Sequence, residues 1–173
     1  MAAASAELGL AGEWYGEVNR EAQTAPVLDF RESMMRLGLL RRYRGALLAT
    51  PAARKLRGNP AALWWHLAGR LPPPKLTRPH THASILLLAA VAIGPQAAPD
   101  PLEYVARMMR EAGWQRSDDT PLTNWDARAA AYDTHIALIR LRALVQVRHG
   151  LEPEQPTRDG ALFARAALRT WPA

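Results

Sequence analysis

From Val27 to Leu67 the chain orders its elements in a way few folds accommodate: an apolar helix stopped by Gly38, two short strand-like runs turning on Gly45, then a helix opened by Thr50-Pro51. Val27, Phe30, Met34 and Leu37 step by three and four residues, which puts one apolar stripe on a helix that a glycine closes. Either Pro26 or an Asp29–Glu32 capping box starts that helix. Leu39 to Tyr43 and Ala46 to Ala49 are each too short for a helix, and a glycine between two such runs supplies the positive φ of a hairpin turn. Thr50 suits an N-cap with Pro51 as the first helical residue, and Asn59-Pro60 repeats the device for a helix over Ala61 to Leu71. Trp64, Trp65 and Leu67 are the large side chains that anchor this helix on a core.

A weaker copy of the same order runs from Tyr132 to Leu168. Asn124 to Leu141 reads as one long helix, Leu144 to Val147 as a strand, His149-Gly150 as a turn and Leu151 to Pro156 as a return arm. Thr157-Arg158-Asp159-Gly160 then opens a terminal helix over Ala161 to Arg169. Sliding the first copy by 105 residues brings Met34 onto Ile139, Leu39 onto Leu144, Leu40 onto Val145 and Gly45 onto Gly150; two further residues bring Thr50 onto Thr157 and Ala53 onto Gly160. Conserved order with little identity is the signal that duplication leaves. Pro72-Pro73-Pro74 and a fourth proline, Pro79, suggest a stiff linker at 72–82 between a first unit at 1–71 and a second at 83–173. The second unit adds an almost wholly apolar helix at Ala83 to Ile93 and an amphipathic one at Pro101 to Ala112 stopped by Gly113. One further helix, Glu7 to Gln23, precedes the first copy.

Leu37-Gly38-Leu39-Leu40-Arg41-Arg42 and Leu48-Ala49-Thr50-Pro51-Ala52-Ala53 resemble the frame of winged-helix proteins, in which a small residue and two apolar residues lead into the wing and a Thr-capped helix follows it. Thr157-Arg158-Asp159-Gly160 is similar to the second half of that frame. The whole string, including Asn59-Pro60-Ala61-Ala62-Leu63-Trp64, also resembles the C-terminal region of high-GC bacterial plasmid ORF-3-like and insertion-element passenger proteins. The resemblance implies a mainly α fold with short β-hairpins, arranged as tandem winged-helix-like units. It further implies a DNA-binding surface, as in a transcriptional regulator or mobile-element accessory protein. The helix before the wing would enter the major groove through Arg31, Ser33 and Arg36; Arg41, Arg42 and Arg44 would meet phosphates; Arg54, Lys55 and Arg57 would extend the contact. Asp29 and Glu32 on the same arc oppose phosphate.

Charge favours the same half of the chain. Residues 1–30 carry one Arg and five acids, net −4; residues 31–80 carry eleven Arg or Lys and one acid, net +10; and the rest carry ten of each, so the excess positive charge sits in 31–80. Such a field attracts polyanions by releasing their counterions; the bland alternative is an arginine-rich solvated face. The competing function class is a non-catalytic docking or scaffold module, for which six Trp supply anchors. The two differ in whether duplex binding exists and weakens with salt.

No enzyme is expected. The chain has no Cys, which closes thiolate and disulfide chemistry. It also shows no phosphate-binding glycine loop, nucleophile elbow or zinc-protease motif. His80-Thr81-His82 has spacing compatible with a metal but no adjacent carboxylate, His66 and His135 lie on or beside apolar stripes, and Asp118-Asp119 reads as a turn. No metal or other cofactor is expected. The N-terminus lacks the basic start and apolar run of a secretory signal. The apolar run Ile85 to Ile93 is far shorter than the roughly 18 residues a membrane span needs. A cytoplasmic protein with no membrane association is therefore the expectation.

Overall fold

The computed structural model describes residues 25–145 and 153–171. The expected helix at Glu7–Gln23 and the turn at Gly150 lie outside the described residues. The chain is mainly helical with two small antiparallel hairpins, and it divides into two compact units, one up to Lys55 and one from Leu56 onward.

In the first unit, α1 (Ala25–Arg36) leads into β1 (Leu40–Tyr43), β2 (Ala46–Ala49) and α2 (Pro51–Leu56), whose last residue begins the second unit. Pro26 is a first-turn residue, and Asp29 sits inside α1, so no capping box forms at Asp29. The helix ends as a glycine lets it: Gly38 adopts φ 75°, its N–H reaches Met35 O and the Leu39 N–H reaches back to Met34 O at 2.9 Å. That left-handed residue turns the chain into β1. Arg44 (φ 47°) and Gly45 (φ 80°) both have positive φ, the signature of a two-residue type I′ turn, and β1 and β2 pair from Leu40↔Ala49 to Tyr43↔Ala46. A Cβ on Gly45 would touch nothing, so glycine is there for its backbone, not for space. The Thr50 hydroxyl then closes the frame, donating to Gly38 O at 2.7 Å and accepting the Ala53 N–H at 3.1 Å.

The second unit is a helical bundle around α4 (Arg78–Ile93), which packs against α5 (Pro101–Glu111), α6 (Asn124–Ala130), α7 (Tyr132–Arg140) and α8 (Arg158–Thr170). Leu87, Leu88 and Val91 of α4, Val105 of α5, Leu138 of α7 and Phe163 of α8 form its core. A short helix, α3 (Pro60–Ala68), capped by Asn59, lies on α8 with Trp64 edge-on to Phe163. Two strands, β3 (Leu144–Val145) and β4 (Gln155–Pro156), pair antiparallel between α7 and α8.

Three features differ from the sequence reading. The compact units divide near Lys55, because α3 packs within the second unit; Leu71, Pro72 and Pro73 are buried, and residues 78–82 are the first turns of α4. The segment expected as linker therefore carries structure, since proline fits the first turn of a helix as well as it stiffens a spacer. Secondly, the long helix expected over Asn124–Leu141 bends at Ala131 (φ −95°, ψ 11°) into α6 and α7. Thirdly, the second frame is displaced by one residue from the expected match. Ala143 N–H bonds Leu138 O, Arg142 N–H bonds Ile139 O, and the Thr157 hydroxyl donates to Arg142 O while accepting the Gly160 N–H. Each of these repeats a bond of the first frame, so Met34 matches Leu138 and Gly38 matches Arg142, a shift of 104 residues, while Thr50 still matches Thr157 and Ala53 Gly160. Arg142 holds φ 54° where the first copy has glycine, an uncommon conformation for a side-chain-bearing residue.

Candidate nucleic-acid interface

The first hairpin is exposed on both faces apart from Leu40 at its root. A ribbon of this length is marginal without a covering layer, so its shape rests on the turn at Arg44-Gly45 and on the Thr50 hydrogen bonds at its base. Pleating alternates its side chains: Arg41, Tyr43 and their partners Leu48 and Ala46 share one face, Arg42 and Leu47 the other.

Tyr43, 48% exposed, organises the charges. The guanidinium of Arg41 lies 5.4 Å and that of Arg44 5.3 Å from the centre of its ring. Each such stack contributes about 0.5–1 kcal/mol at an exposed site, and the two gather like charges around one ring. Among the described residues no carboxylate forms an ion pair with Arg41, Arg42 or Arg44. The sequence reading missed the tyrosine, although its signal was present: Tyr43 stands two residues after Arg41 on the same strand face and one before Arg44.

Other expected contact residues divide sharply. Arg54 donates to Ala49 O at 3.4 Å, which ties α2 to the end of β2, and Lys55 is exposed on the same helix. Ser33, 4% exposed, is buried and cannot reach a groove. A small polar residue on the arc next to the apolar stripe gave no warning of that. Arg31 keeps only 16% of its side chain exposed and lies 3.8 Å from Glu32, while Arg36 is 3.2 Å from the other oxygen of the same carboxylate. α1 thus presents a partly neutralised face. Arg57 is exposed but belongs to the second unit. The structure brings Arg41, Arg42 and Arg44 together on the hairpin, and leaves Arg31, Ser33 and Arg36 as a weak reading surface.

The second hairpin is built differently. Glu154, just before β4, bonds His135 Nε2 of α7 and lies 3.4 Å from Arg128 of α6, and Gln155 donates to Pro99 O at 2.8 Å. Burial disfavours the Glu154 carboxylate, but the hydrogen bond and charge of His135, with the charge of Arg128, outweigh it and hold its pKa below the usual value. Its return arm is therefore pinned to the bundle. Three further arginines of this unit face acids: Arg107 with Glu111, Arg110 with Glu103, and Arg116 with Asp118 and Asp126. Those contacts, together with Thr120 on Asp118 and Thr123 on Asp126, lower both aspartate pKa values, with the threonine hydrogen bonds the larger cause.

His80 and His82 do not converge: His80 Nδ1 meets Thr77 Oγ1, and His82 Nδ1 accepts from Trp114 Nε1 at 3.2 Å. Among the described residues no group of three His, Asp or Glu could hold a metal ion, and no helix is long and apolar enough to cross a membrane. No family model matches this chain, nor does any curated protein or solved structure, so the resemblances drawn from its sequence rest on the quoted residues alone.

Proposed function

We propose that the first unit is a winged-helix-like module that binds double-stranded DNA through its hairpin, as a non-enzymatic cytoplasmic regulator or mobile-element accessory protein. The observation that carries this reading is the trio Arg41, Arg42 and Arg44, exposed on one ribbon, two of them stacked on Tyr43 and none paired with an acid among the described residues. Guanidinium groups already ordered lose less freedom on meeting phosphate. Arg54 and Lys55 add charge on the helix that follows. The role of α1 is smaller than a major-groove reading helix requires, because Ser33 is buried and Glu32 holds Arg31 and Arg36. Binding is accordingly dominated by the backbone, with weak base preference.

A second reading, a protein-docking wing, is favoured by one observation: Leu47 and Leu48 are exposed on β2 beside the arginines. Fluorescence anisotropy with labelled duplexes of unrelated sequence separates the two. Comparable binding to all of them at low salt supports the DNA reading. Absence of binding at low salt refutes it and leaves the docking wing.

A further inference from the structure

The second unit holds an open groove of about 300 Å³ where α3 and α8 meet the root of the second hairpin. Trp64 and Phe163 form its aromatic corner, with ring centres 5.5 Å apart and planes at 86°. Leu141 and Leu162 supply aliphatic walls, and Ala143 part of the floor. Phe163 is buried and fixed in place, whereas Leu162 is 52% exposed, an apolar side chain left in water at the groove edge. Asp159 is the one charged lining residue, and it has no ion-pair partner among the described residues. The floor is rigid for a definite reason: α8 starts so close to Ala143 that a Cβ on Gly160 would come within 2.2 Å of the Ala143 carbonyl oxygen.

The geometry points to this groove as a binding site for a small organic cation with an apolar body, an ammonium group carried on an aromatic or aliphatic frame. Its size suits a small ligand. The apolar body replaces water on Leu141 and Leu162, while the ammonium faces the electron-rich aromatic rings and the Asp159 carboxylate. An anion of the same shape meets that carboxylate with the wrong sign, and a neutral one gains nothing from it. Because Leu141 and Ala143 precede the hairpin and Asp159, Leu162 and Phe163 follow it, an occupant bridges both sides of the frame that Thr157 closes. Binding therefore stabilises that frame by mass action. The inference does not rest on DNA binding, which concerns the first unit.

Ligand-observed NMR on the full chain tests it, with benzyltrimethylammonium as the cation, benzyl alcohol as a neutral frame and benzoate as the anion. The cation binds about three- to fivefold more tightly than the alcohol, the preference expected of an exposed cation–π contact, and benzoate binds least. D159N weakens the cation and leaves the alcohol unchanged, and L162Q weakens both cation and alcohol; both residues are exposed, and circular dichroism verifies that the variants fold. Equal binding of cation and alcohol, cation binding unchanged in D159N, or no binding of the cation overturns the proposal.

Discussion

Replacing Gly160 with alanine sets local propensity against tertiary closure. In a helix interior alanine is better than glycine by about 1 kcal/mol, so a reading of α8 in isolation expects G160A to stabilise. The structure predicts the reverse. A Cβ at this position would lie 2.2 Å from the Ala143 oxygen, 2.6 Å from its Cα and 2.7 Å from its carbonyl carbon, all backbone atoms that cannot rotate away. Relief requires α8 to withdraw from Ala143 by nearly an ångström. That movement strains two hydrogen bonds, from the Thr157 N–H to Ala143 O and from the Thr157 hydroxyl to Arg142 O, both 3.0 Å long. Overpacking costs roughly 1–3 kcal/mol, and each strained bond adds up to about 1 kcal/mol. After subtracting the helix gain, G160A should destabilise by roughly 2 kcal/mol, the middle of a range of about 0–4 kcal/mol, which is a fall in Tm of about 4–8 °C at this chain length. Thermal and urea unfolding followed by circular dichroism measure it. A Tm unchanged or raised in G160A refutes the close approach of α8 to the Ala143 backbone.

Three further perturbations follow from the same contacts. T50V removes a hydroxyl that both donates to Gly38 O and caps Ala53, and should lower stability by about 1–2 kcal/mol in chemical denaturation. E154Q should cost about 2 kcal/mol at neutral pH by removing a charged partner of His135 and Arg128. Because the folded-state pKa of Glu154 is depressed, its contribution is present above the usual carboxylate pKa and fades as pH falls below it, so the wild-type advantage over E154Q should shrink on acidification below about pH 4. R44N should stabilise the first hairpin, since asparagine before glycine suits the type I′ turn that Arg44 occupies at φ 47°. The same change should weaken duplex binding, whereas a purely structural Arg44 would let the two effects move together.

Much of this architecture is legible in the chain, because its punctuation is local chemistry. Gly38, Gly45, Thr50 and Asn59 each act within a few residues, and the structure finds each where a helix stop, hairpin turn or cap is expected. What depends on distant partners is not legible. Aligning apolar pairs put Leu39 on Leu144, yet the corresponding hydrogen bonds follow backbone geometry, with the left-handed residue a glycine, Gly38, in one frame and an arginine, Arg142, in the other. The unit boundary hides for a similar reason, since Trp64 finds its partner, Phe163, about a hundred residues away. In the candidate site the arginine cluster shows in the sequence as charge density, while the burial of Ser33 and the capture of Arg31 and Arg36 by Glu32 are decided by packing and rotamers.

The most direct test of the hairpin as a phosphate-binding wing is the salt dependence of duplex affinity for the wild type and for the variant R41Q/R42Q/R44Q. These residues are exposed, so folding should be preserved. Three phosphate contacts predict that log K falls with log[salt] at a slope near −3 from the hairpin alone, and that the variant loses about that much of the slope. Wild-type protein that fails to bind at low salt, or a variant whose slope equals that of the wild type, contradicts the account.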